Sequence, residues 1–199
     1  MNRKTFLQTL AAAVLGLFFA ISAFAQAAVP AEKAGDARVL VAYFSLTGNT
    51  KALAQSIAEK TGAKIVEIVP AEAYPTEYRK CTERAKKEIG AKAKPPLKAL
   101  PADLAAFDII FVGSPSWLGT YAPPVATFLD SPALAGKTLV PFFTNGGGGL
   151  QNCESTMKRQ VGDKAFFLRA IAVNGKKVKD SGTAREVDAW LAEIGLGKK

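Results

Sequence analysis

The chain has 199 residues, with 26 Lys and Arg against 17 Asp and Glu, a formal net charge of +9, two cysteines and no histidine. The missing histidine excludes Ser-His-Asp and Cys-His catalysis and His-ligated metals. Cys81 and Cys153 form no metal-spaced pair, so no metal centre is expected.

In chain order, Asn2-Arg3-Lys4 is a short basic region. An apolar stretch from Leu10 to Ile21 follows, then Ala23-Phe24-Ala25, a small-x-small cleavage site. This reads as a secretory signal peptide over 1–25. The stretch is shorter than the roughly 20 residues of a membrane span. Residues 26–37, rich in Ala with Pro30 and Gly35, read as a flexible leader. Residues 38–199 make one domain. Export places the protein outside the cytoplasm, in a periplasm-like compartment. Cleavage would remove Arg3 and Lys4 and leave 24 basic against 17 acidic residues, or +7.

The domain alternates strand and helix. Arg38–Phe44 is a first, buried strand. Ser45-Leu46-Thr47-Gly48-Asn49-Thr50 is a polar turn that opens a helix with Leu53, Ala54, Ile57 and Ala58 on one face. Lys64–Val69 is a second strand, Pro75–Glu88 a charged helix, and Ala91–Pro101 a Lys/Pro loop. Phe107–Gly113 is a third strand. Ala122–Leu129 is a helix with prolines in its first turn. Lys137–Phe143 is a fourth strand, Leu150–Gln160 a short helix and Ala165–Val173 a fifth strand. Thr183-Ala184-Arg185-Glu186 reads as a capping box opening the last helix. Five apolar strands alternating with helices imply a parallel sheet covered on both faces.

In such sheets, ligands bind beyond the carboxyl ends of the strands. Three loops there are informative. Ser45, Thr47 and Thr50 offer hydroxyls, Gly48 allows close backbone approach, and the helix start offers unpaired N–H groups. Together they suit a single monoester phosphate. Ser114–Tyr121 carries Trp117, a large aromatic framed by Pro115 and Gly119. Thr144-Asn145-Gly146-Gly147-Gly148-Gly149 is nearly bare backbone. A phosphorylated planar heterocycle fits all three.

With these motifs the chain resembles the flavodoxin family. The resemblance rests on Tyr43–Thr50, Tyr74-Pro75, Gly113–Trp117 and Gly136–Gly147. It implies a three-layer, doubly wound, five-stranded parallel sheet of order 2-1-3-4-5, with flavin mononucleotide (FMN) as cofactor. Ser45, Thr47, Gly48, Asn49 and Thr50 would hold the phosphate. Pro115, Ser116, Trp117 and Leu118 would contact the isoalloxazine ring. Thr144, Asn145, Gly146 and Gly147 would line its pyrimidine edge.

The expected function is that of an exported electron-transfer flavoprotein. An FMN-dependent reductase of quinones or similar acceptors is the alternative. A binding module that has lost its flavin is disfavoured by the intact hydroxyls. The partner is expected to be a redox protein or small acceptor, not nucleic acid. Eight Lys and Arg in Arg79–Lys98, against Glu83 and Glu88, would associate weakly with anionic surfaces.

Overall fold

The structure, a computed structural model, describes residues 37–98 and 103–197. The signal segment and nearly all of the leader lie outside the described residues.

Seven strand segments build the sheet: β1 (Val39–Tyr43), β2 (Lys64–Glu67), β3 (Ile109–Trp117), β4 (Thr120–Tyr121), β5 (Thr138–Asn145), β6 (Phe166–Phe167) and β7 (Ile171–Asn174). Five helices connect them: α1 (Asn49–Thr61), α2 (Tyr78–Gly90), α3 (Pro123–Leu129), α4 (Cys153–Val161) and α5 (Ser181–Glu193). The sheet runs β2-β1-β3-β5, with β6 and β7 together on the far edge. All of these pairs are parallel. The fold is therefore the expected doubly wound α/β sheet with five strand positions. The order reverses between β1 and β3, where such folds open a crevice for ligands.

The period-2 alternation of a strand assigns its side chains to two cores. Leu40, Ala42 and Phe44 join Ile110, Val112, Leu139 and Phe143 on the face covered by α2, α3 and α4. Val41 and Tyr43 join Phe111, Val140 and Phe142 beneath α1 and α5. The helices answer with matching stripes: Leu53 and Ile57 from α1, Val187, Trp190 and Leu191 from α5, and Val125 and Phe128 from α3. Both cysteines are buried and unpaired.

The fifth strand departs from the expected continuous Ala165–Val173. Thr138 pairs with Phe166 and Leu139 with Phe167, but Phe142 pairs with Ile171, so the edge strand carries one extra residue. Pro141 lies opposite the break. Phe166 and Leu168 donate their N–H groups to the Lys137 and Leu139 carbonyls. By the alternation of a parallel ladder, Pro141 also faces this edge, where it has no N–H to give, and the strand bulges. The Arg169 carbonyl, left out of the ladder, accepts the Trp190 indole N–H at 2.9 Å.

Other boundaries differ: β2 stops at Glu67 rather than Val69, α2 begins at Tyr78 rather than Pro75, and α4 begins at Cys153 rather than Leu150. Helix α5 begins at Ser181 with Asp180 at its cap, and no side chain caps it. The Thr183 hydroxyl donates instead to the Lys177 carbonyl at 2.7 Å. Strand β3 runs on past Gly113 to Trp117 and folds back as β4, so most of the expected Ser114–Tyr121 loop is strand.

Candidate functional site

The turn after β1 is shaped by its own polar groups. Gly48 takes φ 87°, left-handed and favourable only for glycine, and its N–H donates to Ser45 Oγ at 3.1 Å. Helix α1 then starts with the Ala52 N–H donating to the Gly48 carbonyl. No side chain caps the helix, and no acidic residue lies in its first turn. The N–H groups of Asn49, Thr50 and Lys51 have no acceptor among the described residues. They are the free donors, with a positive dipole end, that a phosphate needs. Thr47 is exposed, and its hydroxyl has no hydrogen-bond partner among the described residues.

Thr50 has a different part from its neighbours. It is buried, and its hydroxyl lies 2.8 Å from that of Thr144, also buried, at the end of β5. This bond joins the first loop to the third across 94 positions of sequence. A hydroxyl both donates and accepts, so one hydrogen of the pair remains available to a ligand oxygen. Asn49 packs against the main chain at Gly175, just after β7, where a Cβ would lie 2.7 Å from the Asn49 Nδ2.

The β3–β4 hairpin forms a wall. Its two-residue turn is Leu118-Gly119, with φ 51° and 85°. Positive φ at both positions marks the type I′ geometry that matches strand twist. Leucine is strained in that region, and Leu118 is 59% exposed. Trp117 is half-buried and packs edge-on against Phe44 at 5.5 Å and Tyr74 at 5.0 Å between ring centroids. Tyr74 is itself held. Its hydroxyl donates to Glu88, and the Arg84 guanidinium stacks on its ring at 4.1 Å. Burial, then the Glu88 carboxylate, push its phenol pKa far up, so it stays neutral. Ser114, wholly buried, accepts the Ala122 N–H at 2.9 Å and ties the hairpin to α3.

The glycine loop is drawn in by side chains. Asn145 accepts from the Gly147 N–H at 2.7 Å and donates to the Val173 carbonyl at 3.2 Å. One donor and one acceptor of its side chain thus shape the loop, and the main chain of Asn145–Gly147 lies beside them. Gln151 bridges two loops. It accepts from the Ser116 hydroxyl at 3.1 Å and packs where a Cβ on Gly148 would intrude, 2.7 Å from Nε2. The Cys153 thiol donates to the same Ser116 hydroxyl at 3.3 Å, and burial pushes its pKa up.

All thirteen expected site residues therefore lie at the carboxyl end of the sheet, spread over three adjoining elements. Pro115 and Thr144 are direct register partners. Tyr74, Phe44, Gln151 and Gly175 also belong to the surroundings. Tyr74 had a signal in the Tyr74-Pro75 motif; Gln151 and Gly175 had none. Among the described residues no cluster of His, Cys, Asp or Glu could hold a metal, and no helix is long and apolar enough to cross a membrane.

Comparison with known proteins agrees with this geometry. A family model described as flavodoxin matches residues 38–194. A candidate flavoprotein from Bacteroides eggerthii is 26% identical, with 81% of this chain and 99% of that chain covered, at a TM-score of 0.71. One from Bacteroides uniformis is 30% identical over 74% of this chain and 98% of that chain, at 0.62. A Lactobacillus acidophilus flavoprotein solved in complex with FMN is 23% identical over 73% and 99%, at 0.60, a likeness of fold. With most of its length matched by the family model, the chain belongs to the flavodoxin family.

Proposed function

We propose that this protein is an FMN-binding electron carrier that works outside the cytoplasm. The carrying observation is the α1 start. Three unpaired N–H groups, the Thr47 hydroxyl and the Thr50–Thr144 pair converge there without a carboxylate in the first turn. That donor set fits a dianionic monoester, and FMN is the cofactor of this family fold.

When bound, FMN supplies the electron-transfer chemistry. The chain's own residues bind and shield it. The amides of Asn49–Lys51 neutralise the phosphate. The hairpin around Trp117, braced by Phe44 and Tyr74, offers one wall against the ring. The main chain of Asn145–Gly147 offers polar groups to its edge.

Export is supported by the signal-like N-terminal sequence. Docking of an acidic redox partner is supported by the α2 region. There Lys86, Lys87 and Lys98 have no acidic partner among the described residues, whereas Arg79, Lys80, Arg84 and Lys94 are paired.

Titration of the purified protein with FMN and with riboflavin tests the site. Wild type should bind FMN far more tightly, and Thr47→Ala with Thr50→Ala should remove most of that advantage. Equal losses for both ligands would refute the phosphate assignment. Sustained quinone reduction from a nicotinamide donor would replace the carrier by the reductase.

A further inference from the structure

The hairpin and the glycine loop leave the sheet as neighbours and are tied together again beyond it. Within the sheet, the β3–β5 ladder ends at the pair Pro115 and Thr144. Two hydrogen bonds restore the link at the far end of the glycine loop. The Asn152 N–H donates to the Gly119 carbonyl at 3.0 Å. The Ser116 hydroxyl donates to Gln151 Oε1 at 3.1 Å. The first bond is main chain to main chain and requires no particular residue. The second requires a side chain of this length with an acceptor near its tip. Ser116 also accepts from the Cys153 thiol at 3.3 Å, which leaves its one hydrogen for Gln151.

Gln151 is costly to place. Its φ is 46°, in the left-handed region, where glutamine is strained and glycine is not. Gly147 and Gly149 of the same loop hold positive φ without that strain. A turn into α4 would be served better by a third glycine, so the turn alone does not account for glutamine here. The carboxamide does. It lies against Gly148, where a Cβ would come 2.7 Å from Nε2 and 3.1 Å from Cδ. On the other side, Oε1 is 3.7 Å from where a Cβ on Gly119 would stand. The side chain therefore spans the gap between the hairpin turn and the glycine loop.

We propose that Gln151 is a positioning residue: its bond to Ser116 fixes the gap between these two loops and, with it, the affinity for the isoalloxazine ring. The proposal rests on the FMN reading above. Strain held at a position that shapes a site is expected where neighbouring contacts over-determine it. The phosphate donors belong to α1, so loss of the clasp falls on the ring and not on the phosphate.

Titration of the full chain with FMN and with riboflavin tests this, together with 15N relaxation and thermal unfolding of the unliganded protein. Gln151→Met keeps the length and removes the acceptor. It should weaken both flavins by the same factor, about three- to tenfold, the worth of one hydrogen bond. Adding Ser116→Ala to Gln151→Met should cost no more than about twofold further, because the bond is already gone. Gln151→Gly should weaken the flavins as far while leaving the melting temperature equal or higher, since the strain is relieved. A merely structural residue would lose stability and affinity together. Without flavin, the amides of Gly146–Gly148 should gain fast motion in Gln151→Met, a readout of the clasp itself. Unchanged loop motion, a loss for FMN but not riboflavin, or a lower melting temperature in Gln151→Gly would overturn the proposal. Flavin binding undiminished in Gln151→Met would overturn this proposal alone, whereas a wild-type chain that binds neither flavin would overturn the FMN reading and this proposal with it.

Discussion

The bond between Thr50 and Thr144 connects fold to site, and a double-mutant cycle measures it. The two hydroxyls lie 2.8 Å apart, with 1% and 4% of each residue exposed. Replacing either by the near-isosteric valine removes one partner and leaves the other buried without a bond. That orphan costs about 1–3 kcal/mol. For a domain of this size, each kcal/mol moves the midpoint by about 2–4 °C. Thr50→Val and Thr144→Val should therefore each lower the melting temperature by roughly 2–12 °C. The double variant removes both hydroxyls and leaves no orphan. It should be more stable than the sum of the single losses by about 0.5–3 kcal/mol. Thermal unfolding followed by circular dichroism, without flavin and in phosphate-free buffer, supplies the four values. If the losses add to within about 0.5 kcal/mol, the hydroxyls do not interact and the link between the first and third loops is refuted.

Three other outcomes follow from particular contacts. A Cβ on Gly113 would lie 2.1 Å from Phe142 Cζ, and Phe142 is wholly buried. Gly113→Ala should cost at least about 1–3 kcal/mol in urea unfolding, with part recovered by adding Phe142→Leu; a neutral Gly113→Ala would contradict the close approach. Leu118→Asn should stabilise by up to about 1–2 kcal/mol, because Asn-Gly suits a type I′ turn and asparagine tolerates positive φ. With the ring placed as proposed, the same change should also weaken FMN by removing apolar cover, and unchanged unfolding would show that Leu118 is unstrained.

The third concerns alkaline pH. Burial first, then Glu67 for Tyr43 and Asp130 for Tyr121, push both phenol pKa values from 10.0 up to about 12. Tyr74 is shifted the same way. A raised folded-state pKa stabilises fully below the unfolded value and is lost as pH climbs through the folded one. In a Tyr78→Phe variant, which leaves only the buried phenols, absorbance near 295 nm and circular dichroism should therefore change together between about pH 10 and 12. Ionisation of the buried phenols near pH 10 in a folded protein would refute the burial argument.

Much of the site was legible before its geometry. Ser45, Thr47, Gly48 and Asn49 announce an anion loop because hydroxyls, a glycine and a helix start are neighbours in sequence. Trp117 and the glycine run are visible as residue types, but what they touch is not. Asn145 looks like a ligand residue, yet its amide shapes the loop through Gly147 and Val173. Gln151 carries no pattern, although it joins Ser116 to the glycine loop. Thr183 has the spacing of a cap, but the nearby Lys177 carbonyl claims its hydroxyl.

What the sequence determined by itself is whatever repeats at short range. Apolar strands, helical stripes and the polar turn after the first strand specify a parallel α/β sheet with a hydroxyl- and glycine-rich turn at its carboxyl end, since burial periodicity is a local property of the chain. Tertiary structure alone decided the Thr50–Thr144 bond, the Phe44–Tyr74–Trp117 cluster, the bulge opposite Pro141 and the burial of the Thr120 hydroxyl with no partner among the described residues. Each depends on which distant group arrives within a few ångströms, or fails to, and hydrogen bonds and steric contacts act only over that range.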